Sequence, residues 1–180
     1  LLLILFGFGL FILYKMKKRQ DHFKGVSEVD HLTKVLTRKA FEEQMAVMIT
    51  KMEAKAAPIF LTILDLDHFK SVNDNHGHLT GDWVLKNVIY ACKELIEDNM
   101  IIARLGGEEF CVVMPEMSLE AVAAKIETSR HAIESMDYSG SGADLTVTAS
   151  FGVTSTEKSG YNLNQLLSHA DEALFKAKEQ

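Results

Sequence analysis

The stretch Met100-Ile101-Ile102-Ala103-Arg104-Leu105-Gly106-Gly107-Glu108-Glu109-Phe110-Cys111-Val112-Val113-Met114 sets the architecture. Two short apolar runs flank a glycine pair, the pattern of two strands joined by a hairpin turn. Two adjacent carboxylates, Glu108 and Glu109, therefore sit at a hairpin tip. The glycines remove side-chain bulk and permit positive φ, so a ligand can approach the backbone closely. Backbone N–H groups suit phosphate, and the carboxylates beside them suit a hard metal ion. Taken alone, a solvated polar turn explains the same residues.

Working outward, Pro58-Ile59-Phe60-Leu61-Thr62-Ile63-Leu64 is a continuous apolar run, which predicts a central strand ending in Asp65-Leu66-Asp67. Acidic residues are poor strand formers, so this strand delivers carboxylates to a sheet edge. A polar stretch from His68 to Asp82 follows, then an amphipathic helix carrying Val84, Leu85, Val88, Ile89, Cys92, Leu95 and Ile96 on one face. Upstream, Thr37 is placed to cap a helix from Arg38 to about Lys55, with Phe41, Met45, Met48 and Met52 at core spacing. Downstream, Ser118 opens a helix to about Ser135 that turns Val122, Ile126 and Ile133 inward. A Gly/Ser loop covers Asp137 to Asp144, a strand is expected over Leu145 to Val153, and a last helix over Leu163 to Gln180. The order α-β-α-β-β-α-β-α, with a hairpin in the middle, predicts an α+β fold: a central, mostly antiparallel sheet flanked by helices.

The 180 residues are enough for one main domain with a proper core, and the net charge of −6 argues against a nucleic-acid surface. Cys92 and Cys111 have no framework spacing and read as reduced core thiols of a cytosolic domain. Residues 1–14 are almost wholly apolar and Lys15-Met16-Lys17-Lys18-Arg19 follows. Residues 1–14 are expected to be the C-terminal part of a transmembrane helix, and 15–29 a basic juxtamembrane and linker helix. The basic cluster then puts the domain over 30–180 on the cytoplasmic side of the membrane.

Asp65 and Glu108 both lie at strand ends, and adjacent strands would bring them together. Paired carboxylates at one sheet edge suit Mg²⁺, whose shell usually includes substrate phosphates; Mn²⁺ suits the same oxygen donors. Lys70 and Lys178 can neutralise charge. This outlines a phosphoryl- or nucleotidyl-transfer site. Among the neighbouring polar residues, Asp67 and Asp74 read as loop caps and Arg104 as an ion-pair partner. His76-Gly77-His78 suggests zinc, but no Cys or further His nearby completes a ligand set.

Four motifs now stand in order: Asp65-Leu66-Asp67-His68-Phe69-Lys70-Ser71-Val72-Asn73-Asp74, Gly77-His78-Leu79-Thr80-Gly81-Asp82, Arg104 to Phe110, and Ala170-Asp171-Glu172-Ala173-Leu174-Phe175-Lys176-Ala177-Lys178. Together they resemble the signature of the GGDEF family, the bacterial diguanylate cyclases, over about Asp30 to Gln180. The resemblance implies a palm-like nucleotide cyclase fold and condensation of two GTP into cyclic di-GMP with release of two pyrophosphates, by a homodimer. It further implies that Asp65, the Leu66 carbonyl and Glu108 hold Mg²⁺, and that Glu108 or Glu109 helps deprotonate the attacking 3′-hydroxyl. Asn73 and Asp82 would read the guanine edge, with His78 close by. Phe69, Lys70, Gly106 and Gly107 would line the phosphates, Lys70 stabilising the transition state, and Lys178 would reach the terminal phosphates. A non-catalytic GTP- or cyclic di-GMP-binding regulatory module is the alternative; degenerate members usually lose the hairpin acids, and this chain keeps both.

The chain departs from the family pattern in three places. Lys34 stands where members often carry Gly, and Thr37 where they often carry Asn; both lie away from the metal, so little effect is expected. Many members carry an inhibitory product site, Arg-x-x-Asp, shortly before the Gly pair. Here that stretch is Glu97-Asp98-Asn99-Met100, which predicts weak or absent product inhibition.

Overall fold

The computed structural model describes residues 28–94 and 96–179. Five strands form one sheet in the order β1-β3-β4-β2-β5. They are β1 (Leu36–Thr37), β2 (Ile59–Leu66), β3 (Ile101–Gly106), β4 (Glu109–Pro115) and β5 (Ala149–Ser155). The β1–β3 pair is parallel and the other three are antiparallel. Helices α1 (Arg38–Ala54), α2 (Phe69–His76), α3 (His78–Lys93), α4 (Leu119–Glu134), α5 (Thr156–Ser159) and α6 (Leu163–Lys178), with a 3-10 turn at Ser139–Ser141, accompany the sheet. The expected α+β architecture holds.

Strand β2 explains the layering. It pairs with β4 on one side and β5 on the other, and every one of its residues is buried. Its odd positions Ile59, Leu61 and Ile63 join Phe41, Met45 and Met52 of α1 and Leu166, Ala170 and Leu174 of α6. Leu64 and Leu66 face the opposite way, onto Val84, Leu85, Val88 and Ile89 of α3. The methionine stripe of α1 is therefore core. Cys92 and Cys111 are free and buried, and burial pushes the Cys92 thiol up to about 12, so both stay protonated and inert.

Three boundaries differ from the sequence reading. Strand β2 continues through Asp65 and Leu66, because β4 and β5 both supply ladder partners there. The polar stretch after it is not a loop: it forms α2 and the first turn of α3, broken only at Gly77 (φ 83). Asp74 therefore lies inside a helix and caps no loop. Strand β5 starts at Ala149 rather than Leu145, while the expected caps are present: the Thr37 and Ser118 hydroxyls accept the amides of Ala40 and Ala121. Among the described residues no helix is long and apolar enough to cross a membrane. The expectations for 1–14 and for 15–27 fall on residues outside those described.

Candidate active site

Strand pairing builds the site. In the β2–β4 ladder Ile63 faces Cys111, Leu64 faces Phe110 and Asp65 faces Glu109. Directly opposed residues point to one face, so Asp65 and Glu109 extend the row of Ile63 and Cys111 toward α6. Glu108 sits half-buried in the turn just before β4. Asp65 is the buried carboxylate, at 9 % exposure, and Lys178 from the last turn of α6 forms a short ion pair with it. A carboxylate this deep needs a cationic partner, which the lysine supplies. The sequence reading expected Asp65 beside Glu108; the ladder instead pairs Asp65 with Glu109, and Glu108 stands one position earlier in the turn.

Electrostatics crowd negative charge at this edge. Partial desolvation lifts the Glu109 carboxyl above its ordinary value, and the neighbouring charges of Asp65, Asp171 and Glu108 lift it further, against the pull of Lys178. Asp171 was not singled out from the sequence. Its signal was available: it lies seven positions before Lys178, so the two share a face of α6.

The hairpin tip is held from outside the sheet. Gly107 has φ 49, and its carbonyl accepts both Nε (2.9 Å) and Nη2 (2.7 Å) of Arg104. The remaining Nη1 donates to Asp30 Oδ1 at 3.1 Å, and that oxygen also receives the Thr33 amide and hydroxyl. Burial alone would raise the Asp30 carboxyl, but the Thr33 bonds and the Arg104 guanidinium hold it below the usual range. Arg104 is indeed an ion-pair partner, and it also clamps the tip.

The residues that the sequence reading expected at the nucleoside lie on α2 and α3. Phe69 is buried, Lys70 exposed, Asn73 and Asp82 half-buried and His78 exposed. Asn73 packs against the α3 backbone: a Cβ added at Gly81 would lie 2.0 Å from Asn73 Oδ1. Glycine at that position thus seats Asn73 beside Asp82. Gly106 and Gly107 are exposed with open space above them, as a phosphate cradle requires. Asp67 is engaged on β5: its two carboxylate oxygens accept the hydroxyls of Ser150 and Thr148, each at 2.7 Å. Among the described residues no three His, Cys, Asp or Glu side chains converge on a metal position. Two carboxylates and a strand-end carbonyl (Asp65, Glu108, Leu66) are hard oxygen donors, a donor set whose chemistry suits a hard divalent cation.

The family profile described as "Diguanylate cyclase, GGDEF domain" matches residues 27–180. The chain belongs to the GGDEF family. Its GGDEF domain is 36% identical over 149 residues to diguanylate cyclase DgcP of Pseudomonas aeruginosa, covering 83% of this chain and 22% of that protein. It is 35% identical over 152 residues to diguanylate cyclase VdcA of Vibrio cholerae, covering 83% of this chain and 43% of the relative. The chain thus spans less than half of either relative's length. Among solved structures, the GGDEF domain of DgcB from Caulobacter crescentus in complex with c-di-GMP superposes with a TM-score of 0.79 at 31% identity, over 86% of this chain and 91% of that one. A sensory box/GGDEF family protein from the same organism gives 0.75 at 34% identity, over 85% and 99%.

Away from the GGDEF site, Asp98, Asn99 and Met100 border a groove of about 500 Å³ at the opposite end of β3 and β4. Its rim carries Glu28, Glu43, Asp98 and Glu116 against a single lysine, Lys51. No arginine lines it.

Proposed function

We propose that this GGDEF domain is a diguanylate cyclase that joins two GTP into cyclic di-GMP and releases two pyrophosphates. The observation that carries the reading is the pairing of Asp65 with Glu109 across β2 and β4, with Glu108 beside Glu109 in the turn and Lys178 on Asp65. A domain that only bound nucleotide would have no use for so much confined negative charge.

Each subunit holds one GTP. Asn73 and Asp82 offer the donor and acceptor pattern that a guanine edge requires. Gly106 and Gly107 let the triphosphate lie on the hairpin backbone, and Lys70 and Lys178 neutralise its oxygens. Asp65, the Leu66 carbonyl and Glu108 would hold a divalent cation such as Mg²⁺, which would supply neutralisation of phosphate charge. Glu109 accepts the proton of the incoming 3′-hydroxyl, and its raised carboxyl value suits that role. The 3′-oxygen forms a bond to the α-phosphorus of the facing subunit's GTP, the α–β bridging bond breaks, and pyrophosphate leaves with the electron pair. Two such transfers close the ring, so two subunits must face each other. The acidic groove at Asp98 repels an anionic dinucleotide, which supports weak product inhibition there. We read residues 1–14 as the membrane anchor that brings the subunits together on the cytoplasmic face.

The test is incubation of the 180-residue chain with GTP and Mg²⁺, followed by separation of nucleotides, beside a Glu108→Gln control. Cyclic di-GMP from the parent and none from the control is the expected result. GTP bound by both with no product from either would replace this reading with a regulatory module.

A further inference from the structure

Asp67 holds both hydroxyls offered to it. Ser150 Oγ donates to Oδ1 and Thr148 Oγ1 to Oδ2, each at 2.7 Å, and the Asp67 amide donates to the Thr148 carbonyl at 2.9 Å. Three bonds therefore tie one residue, just past the end of β2, to the two residues that flank the first position of β5. The next residue, His68, sits at φ 55, ψ 24, the left-handed region that L side chains resist. Such strain persists only where the surroundings over-determine the backbone. The His68 carbonyl in turn accepts the amides of Ser71 (2.8 Å) and Val72 (3.3 Å), so the first turn of α2 hangs from that strained residue.

We propose that Asp67 is a positioning residue for catalysis. Gripped by Thr148 and Ser150, it fixes the turn that aims the Leu66 carbonyl at the metal position and the Phe69–Lys70 end of α2 at the phosphates. The proposal rests on the GTP reading above. Asp67 touches neither substrate nor metal in this scheme. Each of its carboxylate oxygens is already held by a hydroxyl donor. The positions of Leu66 and Lys70 follow from it, because they lie one and three residues away on either side of the pinned turn.

A hydroxyl both donates and accepts, so an amide can take the place of the carboxylate in this grip, whereas a methyl cannot. Asp67→Ala, Asp67→Asn and the double variant Thr148→Val/Ser150→Ala are therefore compared in the 180-residue chain. Binding of a GTP analogue with a methylene α–β bridge is measured in the presence of Mg²⁺, and KM and kcat with GTP. Loss of the grip is expected to weaken analogue binding by about 10- to 100-fold, the range for groups that orient ligands from behind. KM should rise with it, Asp67→Asn should stay near the parent, and the double variant should behave as Asp67→Ala does. Should Asp67→Ala not fold, the hydroxyl variants, which leave the carboxylate and the backbone bond in place, carry the test. Asp67→Asn as impaired as Asp67→Ala, beside a double variant equal to the parent, would overturn the proposal by showing that the charge itself is used. So would parent-like binding by Asp67→Ala. A parent chain that bound no analogue would remove the GTP reading itself, and this proposal with it.

Discussion

Gly152 of β5 lies against the backbone of α6 at Leu174. A Cβ added at Gly152 would stand 2.3 Å from the Leu174 nitrogen and 2.2 Å from the Ala170 carbonyl oxygen. Neither obstacle is a side chain that could swing away. Gly152→Ala should therefore push α6 off the sheet and cost about 2–4 kcal/mol, as overpacking against fixed atoms does. Lys178 rides on that helix, so the Asp65 pair should loosen too. Denaturant unfolding and GTP turnover should fall together; an unchanged midpoint would show that the helix can shift without cost.

Lys34 occupies backbone at φ 57, where the family often has glycine. A left-handed conformation costs an L residue roughly 1–2 kcal/mol, and glycine returns part of that gain as unfolded-state entropy. Lys34→Gly is expected to stabilise the chain by about 1 kcal/mol, read as a higher denaturation midpoint. The Lys93 ammonium bonds the Lys34 carbonyl, which the substitution keeps, so the turn itself should survive.

Glu109 is destabilising when ionised. Its carboxyl is raised in the folded state from 4.5, chiefly by desolvation and then by Asp65, Asp171 and Glu108. A raised acid means that the folded chain binds more protons, so its penalty is absent below the unfolded value and grows as pH rises through the folded one. Glu109→Gln should accordingly raise the melting temperature at pH 7.5 and not at pH 4. Water reaches this side chain, so the gain should not exceed about 1 kcal/mol. Turnover should drop sharply at the same time. Equal gains at both pH values would mean that packing, not charge, is responsible.

Arg104→Lys keeps the charge and loses the fork that grips the Gly107 carbonyl twice. The hairpin tip should loosen at a cost of about 1–2 kcal/mol, and KM for GTP should rise more than kcat falls. Asp30→Asn should give a milder version of the same split, since the guanidinium would keep both bonds to Gly107. Steady-state kinetics on the two variants side by side would separate them.

The hairpin, the central β2 strand and the two helices capped by Thr37 and Ser118 were legible because each rests on local rules: apolar runs, a glycine pair, a cap. The helix from Phe69 to His76 was not. It is nearly all polar, and Ser, Asn, Asp and His are weak helix formers. Only Phe69 in it is buried, and the segment is helical because that ring and Asn73 pack onto α3. The start of β5 was placed early because Leu145-Thr146-Val147-Thr148 has strand composition; pairing with β2 begins only at Ala149, opposite Leu66. Residues such as Asp65, Glu108 and Lys178 were found through their motifs. The partners that hold the site from behind (Thr148, Ser150, Asp30) come from distant parts of the chain, and only the fold shows whom they touch.

Asp65 and Lys178 are separated by 113 positions. At synthesis rates of about 5–20 residues per second, roughly 6 to 23 s pass between the emergence of the carboxylate and that of its cation. Throughout that interval the central strand can find its β4 neighbour but not the lysine, and the last helix cannot close over the site. A nascent or prematurely ended chain lacking α6 therefore holds an uncompensated acid at the sheet edge. Pairing of Asp65 waits for α6, so the acid edge of the sheet and its cation are assembled at different times.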